Sequence, residues 1–281
     1  MKVIKTKKEI KVFIESVIEN KQSIGFVPTM GALHQGHLNL IDRAVAENDI
    51  SVVSIFVNPR QFNDKSDFEE YPRNFDKDIE ALEKHGVSLL FLPDYDEIFE
   101  NELSVNVNFD GLDESLEGAF RPGHFQGVVD VVDALFALVK PNKAYFGLKD
   151  FQQLLVIKTL VEQFHESIDI VECEIVREPD GLAMSSRNER LDLINRKIAA
   201  NIYKILTEAV KMSKNKASKN EILSFVKLKF SEIKEFKLEY ASICNKNNLE
   251  ELSENASIND AVLLVAVWCG GVRLIDNIYL I

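Results

Sequence analysis

The feature that most constrains the fold is a repeated alternation of apolar and amphipathic stretches over the first 176 residues. The apolar runs have the length of buried strands, and the stretches between them carry apolar residues at helical spacing. Such alternation is typical of a parallel sheet with helices on both faces. We predict strands at 23–27, 50–57, 87–92, 143–147 and 169–176 and helices at 5–19, 37–48, 74–85, 125–139 and 151–164. The fold class is therefore α/β, with a Rossmann-like parallel sheet.

The pattern changes from residue 177 onward. Residues 178–181 read Glu-Pro-Asp-Gly, which is a strong turn signal. Helices are expected over 189–233, and short strands are expected near 237–243, 261–268 and 272–280. We therefore predict two domains: a Rossmann-like domain over 1–176 and a smaller α+β domain over 177–281.

Charge and composition exclude several classes of protein. A formal net charge of −12 argues against a large nucleic-acid surface, although a local basic pocket for phosphate is still compatible with it. The three cysteines form no metal-binding or CxxC pattern. The longest apolar run is too short to span a bilayer, and the first residues lack an apolar export segment. We expect a cytoplasmic protein that binds neither nucleic acid nor membrane.

Two histidines lie where a predicted strand turns into a helix. Residues 28–37 read Pro-Thr-Met-Gly-Ala-Leu-His-Gln-Gly-His, with His34 and His37 three positions apart. Free backbone N–H groups and the helix dipole favour an anion at such a place, typically a phosphate. The glycine spacing of a P-loop or a GxGxxG turn is missing. The segment resembles the HxGH signature of nucleotidylyl transferases, which bind ATP and attack its α-phosphate. Taken alone, however, the pair is as well explained as polar residues at a helix start or as a chance metal-like pair.

Further polar residues follow other predicted strands. Asn58 and Gln61 follow the second strand, and Lys149 and Gln153 follow the fourth. Because the carboxyl ends of parallel strands share one edge of a sheet, we expect a common site at that edge. Each residue also has a structural explanation. The pairs Asp150/Gln153 and Ser186/Glu189 have the spacing of a helix-capping box, an isolated lysine is usually solvated, and Met30 would normally fill the core.

Taken in order, the segments over residues 23–188, together with Arg273–Ile278, resemble the pantoate–β-alanine ligase family. The chain departs from the family pattern at Leu148, where a polar residue is more usual, and in Val128–Ala134, which carries two aspartates. The resemblance implies two steps. Pantoate carboxylate attacks the α-phosphorus of ATP to give pantoyl adenylate and pyrophosphate, and β-alanine then displaces AMP.

The resemblance also implies a set of site residues, a co-substrate and an assembly. The catalytic residues would be His37, His34 and Lys149, and the pantoate or β-alanine ligands would be Gln61, Gln153 and Asn58. ATP would be bound by Met30, Gly31, Ala32, Leu33, His34, Gln35, Gly36, His37, Gly147, Leu148, Lys149, Asp150, Val176, Met184, Ser185, Ser186 and Arg187. Residues 184–187 would form a loop that closes over the triphosphate from the second domain. The chemistry requires Mg²⁺ to screen the β- and γ-phosphate oxygens, and the family implies a homodimer. The metal ligands are left open, with Asp78 and Asp150 as candidates.

The residue types suit this chemistry. Adenylate formation develops charge on phosphate oxygens, which imidazole, ammonium and guanidinium groups can neutralise. Pantoate's carboxylate is the nucleophile, and neutral glutamine amides hold it without blunting its attack as a bidentate arginine would. Two alternatives are kept. Another HxGH-type transferase would move AMP or CMP onto a phosphorylated substrate, and a silent nucleotide-binding regulator would have lost the histidines or the lysine.

Overall fold

The computed structural model describes residues 1–63, 65–99, 104–253 and 258–281 and divides the chain into two compact units. The first unit comprises Met1–Leu148 and Gln152–Glu174, and the second comprises Lys149–Phe151 and Ile175–Ile281. The segment Lys149–Phe151 therefore groups with the end of the chain, although it follows a strand of the first unit.

The first unit alternates strands and helices along its sequence. Its strands are β1 (Lys2–Ile4), β2 (Ile24–Thr29), β3 (Ile50–Ile55), β4 (Leu89–Phe91), β5 (Lys143–Gly147) and β6 (Asp169–Cys173). The helices are α1 (Lys7–Glu19), α2 (Gln35–Glu47), α3 (Lys65–Glu69), α4 (Phe75–Lys84), α5 (Tyr95–Phe99), α6 (Glu117–Phe120), α7 (His124–Val139) and α8 (Phe151–Phe164), whose first residue groups with the second unit. Short 3₁₀ helices occupy Pro59–Gln61 and Leu148–Asp150.

All six strands are parallel and lie in the order β1-β4-β3-β2-β5-β6. The central strands β2 and β3 are almost continuously apolar because both of their faces are covered by helices. From β2 the chain builds the sheet outward through β3 and β4 and then returns to place β5 on the other side of β2. The chain thus reverses direction between β2 and β5, which is where open α/β sheets bind ligands.

The predicted α/β class with a parallel sheet is confirmed, and the differences are short elements that were not predicted and the end positions of longer ones. Strand β1 was not predicted, because three residues at the start of the chain give no periodic signal. The stretch from 93 to 123, in which no strand or helix was predicted, contains the short helices α5 and α6, and its residues 100–103 lie outside the described part. Helix α2 begins at Gln35 rather than at residue 37. This difference matters, because it makes His34 the residue that caps the helix.

The second unit is an antiparallel sheet covered by helices. Its strands β7 (Phe236–Asn245), β8 (Ala261–Cys269) and β9 (Val272–Tyr279) pair in sequence order. Helices α9 (Leu193–Ala199), α10 (Asn201–Lys214) and α11 (Lys219–Ser231) and a 3₁₀ helix at Ser186–Arg190 complete it. One face of β8 contributes Leu263, Val265 and Val267 to the core that these helices cover.

Helix starts in both units follow ordinary capping chemistry. Thr6 accepts a hydrogen bond from the Glu9 N–H at the start of α1. Ser218 and Glu221 form a reciprocal capping box at the start of α11.

Within the described residues, no helix has both the length and the apolar character needed to cross a bilayer.

Candidate active site

The site begins directly after β2, at the sheet's change of direction. Residues 30–34 connect the end of this strand to α2, so the two histidines lie at the carboxyl edge of the sheet. The loop has little freedom, because only five residues separate the last residue of β2 from the first residue of α2. The sequence prediction that His34 and His37 lie at a strand-to-helix turn is correct.

His34 and His37 cap helix α2 reciprocally. His34 occupies the N-cap position, and its Nδ1 accepts a hydrogen bond from the Gly36 N–H at 3.1 Å. The His37 Nδ1 accepts in turn from the His34 N–H at 3.3 Å. The two rings lie against each other with 4.1 Å between their centroids. The arrangement is a capping box in which imidazoles replace the usual hydroxyl and carboxylate.

This cap determines which ring nitrogen of each histidine carries the proton. A nitrogen that accepts a hydrogen bond cannot itself be protonated, so both Nδ1 atoms are bare and both protons reside on Nε2. Two imidazolium rings at this separation would also repel each other. The pair is therefore neutral, and it presents two Nε2–H donors at the amino end of a helix, where an anion is favoured.

The loop between β2 and α2 is held in an uncommon backbone conformation. Gly31 and Ala32 both have positive φ, at 78° and 51°. The Asp78 carboxylate of α4 accepts hydrogen bonds from the Ala32 N–H at 2.9 Å and the Leu33 N–H at 2.8 Å. A Cβ on Gly31 would lie 2.9 Å from the same carboxylate. A side chain from a distant helix thus fixes the loop, and glycine is needed where the two meet.

Asp78 is only 3% exposed, which gives it an unusual electrostatic setting. Burial raises the pKa of its carboxyl, and the two backbone hydrogen bonds oppose this rise. The sequence offered Asp78 as a candidate Mg²⁺ ligand, whereas here both carboxylate oxygens bind the loop. Fixing the loop is a sufficient reason for a buried carboxylate at this position, and it requires no metal.

Gln61 lies at the end of the 3₁₀ helix that follows β3. Its Oε1 accepts from Asn58 Nδ2 at 3.2 Å, and its Nε2 donates to the Met30 sulfur at 3.0 Å. Asn58 also donates to the Gly127 carbonyl at 2.8 Å, and its own oxygen accepts from the Arg60 N–H. Because Asn58 is 1% exposed and its amide is fully used, the structure argues against the predicted contact of Asn58 with a substrate.

The start of α7 holds Gln61 from its backbone side. His124 Nδ1 donates to the Gln61 carbonyl at 2.8 Å, while Arg121 donates to His124 Nε2 at 3.0 Å. A Cβ on Gly127 would lie 2.4 Å from the Arg60 carbonyl oxygen, so only glycine permits this approach. Arg121 and His124 had been left out of the predicted site, and here they support Gln61.

The two aspartates by which α7 departs from the family pattern both have partners. Asp130 is 7% exposed and accepts hydrogen bonds from Ser104 at 2.7 Å and Gln126 at 2.8 Å, with Arg60 at 3.5 Å. Asp133 pairs with His165 at 2.8 Å. Both aspartates therefore have partners within the first unit, and one partner of Asp130 is Arg60, the residue next to Gln61.

Residues 148–153 follow β5, with four functional predictions among them. Lys149 is 19% exposed, and its Nζ lies 3.9 Å from the half-exposed Asp150 carboxylate. The predicted cap of α8 by Asp150 and Gln153 is not found among the described hydrogen bonds. Gln152, which sequence analysis did not single out, is 2% exposed and binds the carbonyls of residues 112 and 115.

The loop before α9 belongs to the second unit. Met184 N–H donates to the Val176 carbonyl at 3.0 Å, so two of the predicted ATP ligands are joined by the backbone. Ser185 caps the short 3₁₀ helix by accepting from the Arg187 N–H at 3.3 Å. The N-cap position is thus occupied by Ser185, one residue before the predicted Ser186, which is 9% exposed.

Arg177 anchors the base of this loop. It forms two hydrogen bonds to Asp276, at 2.6 and 2.9 Å, and its guanidinium lies 3.9 Å from the centroid of the Tyr203 ring. Burial raises the pKa of Asp276, which is 3% exposed, and the Arg177 guanidinium opposes this rise. Asp276 and Asn277 lie in the segment Arg273–Ile278 that resembles the family, and neither was predicted to belong to the site.

Comparison with known proteins gives consistent matches over the whole chain. A sequence model of the family described as Pantoate-beta-alanine ligase matches residues 2–279. A pantothenate synthetase of Phocaeicola vulgatus is 45% identical over 279 residues, and one of Thermotoga petrophila is 44% identical over 278 residues. In both cases the match covers 99% of this chain and 99% of the relative.

Solved structures agree with these sequence matches. The crystal structure of pantothenate synthetase from Thermus thermophilus has a TM-score of 0.92 at 39% identity and 99% coverage of both chains. A pantoate-beta-alanine ligase from Francisella tularensis, complexed with beta-gamma ATP and beta-alanine, has a TM-score of 0.81 at 36% identity. The match covers 99% of this chain and 97% of that one.

The parallel sheet and the HxGH segment at its switch point define an α/β enzyme that resembles the nucleotidylyl transferases. Within that class the family model and the relatives agree. The chain belongs to the pantoate-beta-alanine ligase family, and it is a ligase of pantothenate biosynthesis.

Proposed function

We propose that the protein condenses (R)-pantoate with β-alanine to give pantothenate, using ATP and passing through pantoyl adenylate. Family membership and the whole-chain relatives support the overall reaction. The Francisella relative, crystallised with a nucleotide and β-alanine, supports both as substrates. The observation that carries the adenylate mechanism is the reciprocal cap of His34 and His37, because it supplies two neutral N–H donors at a helix start.

In the first step a pantoate carboxylate oxygen forms a bond to the α-phosphorus, and the bond from that phosphorus to the bridging oxygen breaks. Pyrophosphate leaves with the electron pair. The His37 Nε2–H, and beside it that of His34, would donate to phosphate oxygens as negative charge develops. A neutral imidazole whose other nitrogen is occupied acts here as a hydrogen-bond donor that stabilises the transition state.

The second step transfers the acyl group. The β-alanine amine attacks the acyl carbon, the bond from that carbon to the AMP oxygen breaks, and the amine loses a proton as AMP leaves. An acyl adenylate also reacts with water, so the site must exclude water between the steps. We propose that Met30, packed against the Gln61 amide, contributes an apolar surface for this purpose.

We propose neutral amides for pantoate and cations for the phosphates. Gln61 and Gln153 would bind pantoate, whereas the buried Asn58 would orient Gln61 rather than touch the substrate. Lys149 would neutralise phosphate charge. The remaining ATP ligands are proposed as predicted, including Ser185, Ser186 and Arg187 of the second unit, which offer hydroxyl and guanidinium donors.

Mg²⁺ would accompany ATP and screen its β- and γ-phosphate oxygens. No group of three His, Cys, Asp or Glu side chains in the described part of the chain is arranged to hold a metal ion. Mg²⁺ does not need such a group, because it typically takes one or two carboxylates and fills its other positions with phosphate oxygens and water. The half-exposed Asp150 is the proposed carboxylate. A cytoplasmic location and a homodimer are proposed on the family resemblance.

The test is pyrophosphate–ATP exchange without β-alanine across a panel of hydroxy acids. Exchange that requires pantoate is expected, because pyrophosphate is released before the amine is needed. Exchange in the absence of pantoate, or none in its presence, would refute the two-step reaction. Exchange driven instead by a phosphorylated acceptor would favour another HxGH-type transferase.

His37→Ala should slow single-turnover adenylate formation about 100-fold or more, with little loss of ATP affinity. If ATP affinity collapsed while the single-turnover rate stayed normal, His37 would serve in binding only. Thermal unfolding of the variant provides the control, because the residue also helps to cap α2.

A further inference from the structure

The last strand of the chain contacts the segment that carries Lys149. The Asn277 side chain donates from Nδ2 to the Lys149 carbonyl at 3.1 Å. Two residues further along each segment, the rings of Phe151 and Tyr279 meet edge to face with 5.9 Å between their centroids. Residues 149–151 are thereby tied to β9 at two points, which agrees with their grouping in the second unit.

Asn277 is itself fixed by its neighbours. Its backbone N–H donates to the Asp276 carboxylate at 2.8 Å, and its carbonyl accepts from Arg177 at 3.4 Å. The same Asp276 carboxylate is paired with Arg177 through two hydrogen bonds. The backbone of Asn277 is therefore held on both sides, and its side chain is presented to Lys149 in a set position.

Burial excludes a direct role for either residue of β9. Asp276 is 3% exposed and Asn277 is 5% exposed, so neither side chain is open to a substrate. Lys149, in contrast, has an exposed fraction of 19%. The buried Asp276 also interacts electrostatically with Lys149. Asn277 thus contacts Lys149 through the backbone carbonyl of the lysine.

We propose that Asn277 is a positioning residue: through the Lys149 carbonyl it fixes the backbone from which this lysine reaches the phosphates. The proposal rests on the proposed function, in which Lys149 neutralises phosphate charge. A lysine on an unfixed backbone would sample more positions, and a phosphate contact misplaced by about 1 Å loses much of its effect. The end of the chain, far from the HxGH segment in sequence, would then control a catalytic group.

The test is a double-mutant cycle in pyrophosphate–ATP exchange. Asn277→Ala should lower kcat for exchange about tenfold while changing KM for pantoate less than about twofold, the scale of one lost hydrogen bond. In a Lys149→Ala background the same substitution should change kcat less than about twofold, because its effect passes through the lysine. Asn277→Leu, which has a similar shape and lacks the donor without burying a charge, should behave like Asn277→Ala.

A matched control separates positioning from stability. Arg273 lies on the same strand and forms an ion pair with Glu239, so Arg273→Gln should lower the unfolding temperature without changing kcat. Equal losses from Asn277→Ala in both backgrounds, or no loss at all, would overturn the proposal.

The wild type, the Asn277→Ala and Lys149→Ala variants and the double variant can also be titrated with ATP. Weaker binding upon Asn277→Ala only where Lys149 is present supports the positioning role even if the wild type shows no exchange. Absence of exchange would overturn the reaction alone, and a wild type that binds no ATP would overturn both.

Discussion

Replacing Gly127 with alanine should move Gln61 without changing the side chain of any predicted ligand. Gly127 lies on α7 against the 3₁₀ helix that carries Asn58 and Gln61. An added Cβ would lie 2.4 Å from the Arg60 carbonyl oxygen and 2.8 Å from the Gln61 nitrogen. Both neighbours are backbone atoms, so no side chain can rotate away to relieve the clash.

The size of the effect follows from these distances. Ordinary contact begins near 3.4 Å, so the two segments must separate by about 1 Å. Overpacking of this kind costs ~1–3 kcal/mol, and weakening the 2.8 Å bond from Asn58 to the Gly127 carbonyl costs ~1 kcal/mol more. Alanine's better helix propensity returns ~1 kcal/mol. We therefore expect a net loss of ~2 kcal/mol in unfolding free energy.

Function should suffer more than stability. A 1 Å displacement of a substrate-positioning group can reduce kcat/KM ~100-fold. We expect that loss in the pantoate dependence of pyrophosphate–ATP exchange, with ATP affinity little changed. Stability should be followed by circular dichroism or by hydrogen exchange of α7 amides. The only tryptophan, Trp268, belongs to the second unit and would not report on this helix.

Ala137→Gly provides the matched control. Ala137 lies on the exposed face of the same helix, so the reverse substitution measures helix propensity alone. It should cost ~1 kcal/mol and leave kcat/KM for pantoate unchanged. If Gly127→Ala were as stable and as active toward pantoate as the wild type, the close approach of α7 would not be what positions Gln61.

Three further results are expected. Asp78→Asn should cost ~2 kcal/mol and weaken ATP binding, because an amide cannot accept from both loop N–H groups; Asp76→Asn, exposed on the same helix, should change urea stability by less than ~0.5 kcal/mol. Glu47→Gln should remove stability that depends on pH. The hydrogen bond from Lys143 lowers the pKa of Glu47 below its usual 4.5. The difference in unfolding free energy between the wild type and the variant should therefore be largest above pH 4.5. This difference in unfolding free energy, under ~1 kcal/mol for this partly exposed group, should disappear as the pH falls through the folded-state pKa of Glu47. A difference that grows in acid would contradict the lowered pKa of Glu47. His34→Asn should keep the helix cap, with a stability change below ~1 kcal/mol, yet reduce exchange ~100-fold; unimpaired exchange would show that His34 only caps.

Several structural features could be predicted because their cause is local. Strands β3 and β5 and helix α8 follow from runs and periods of apolar residues, and His34 and His37 follow from their place between a strand and a helix. Strand β1 and the short helices α5 and α6 were missed, because segments this short are stabilised by pairing and packing rather than by their own pattern.

The residues that hold the site residues in position could not be predicted from the sequence, for a different reason. Asp78 is 45 residues from Leu33, His124 is 63 residues from Gln61, and Asn277 is 128 residues from Lys149. A buried carboxylate and an exposed one look alike in a sequence. Asn58 and Asp78 were predicted as ligands for this reason, and only burial and hydrogen-bond partners showed their structural use.

The sequence by itself determined the α/β class, the HxGH turn and the family, since each depends on which residues are neighbours along the chain. The tertiary structure decided which histidine nitrogens carry protons, which carboxylate holds the loop after β2 and which residues hold Gln61 and Lys149 in place. Those properties arise from hydrogen bonds and desolvation between segments that meet only after folding, and no local pattern encodes such distances.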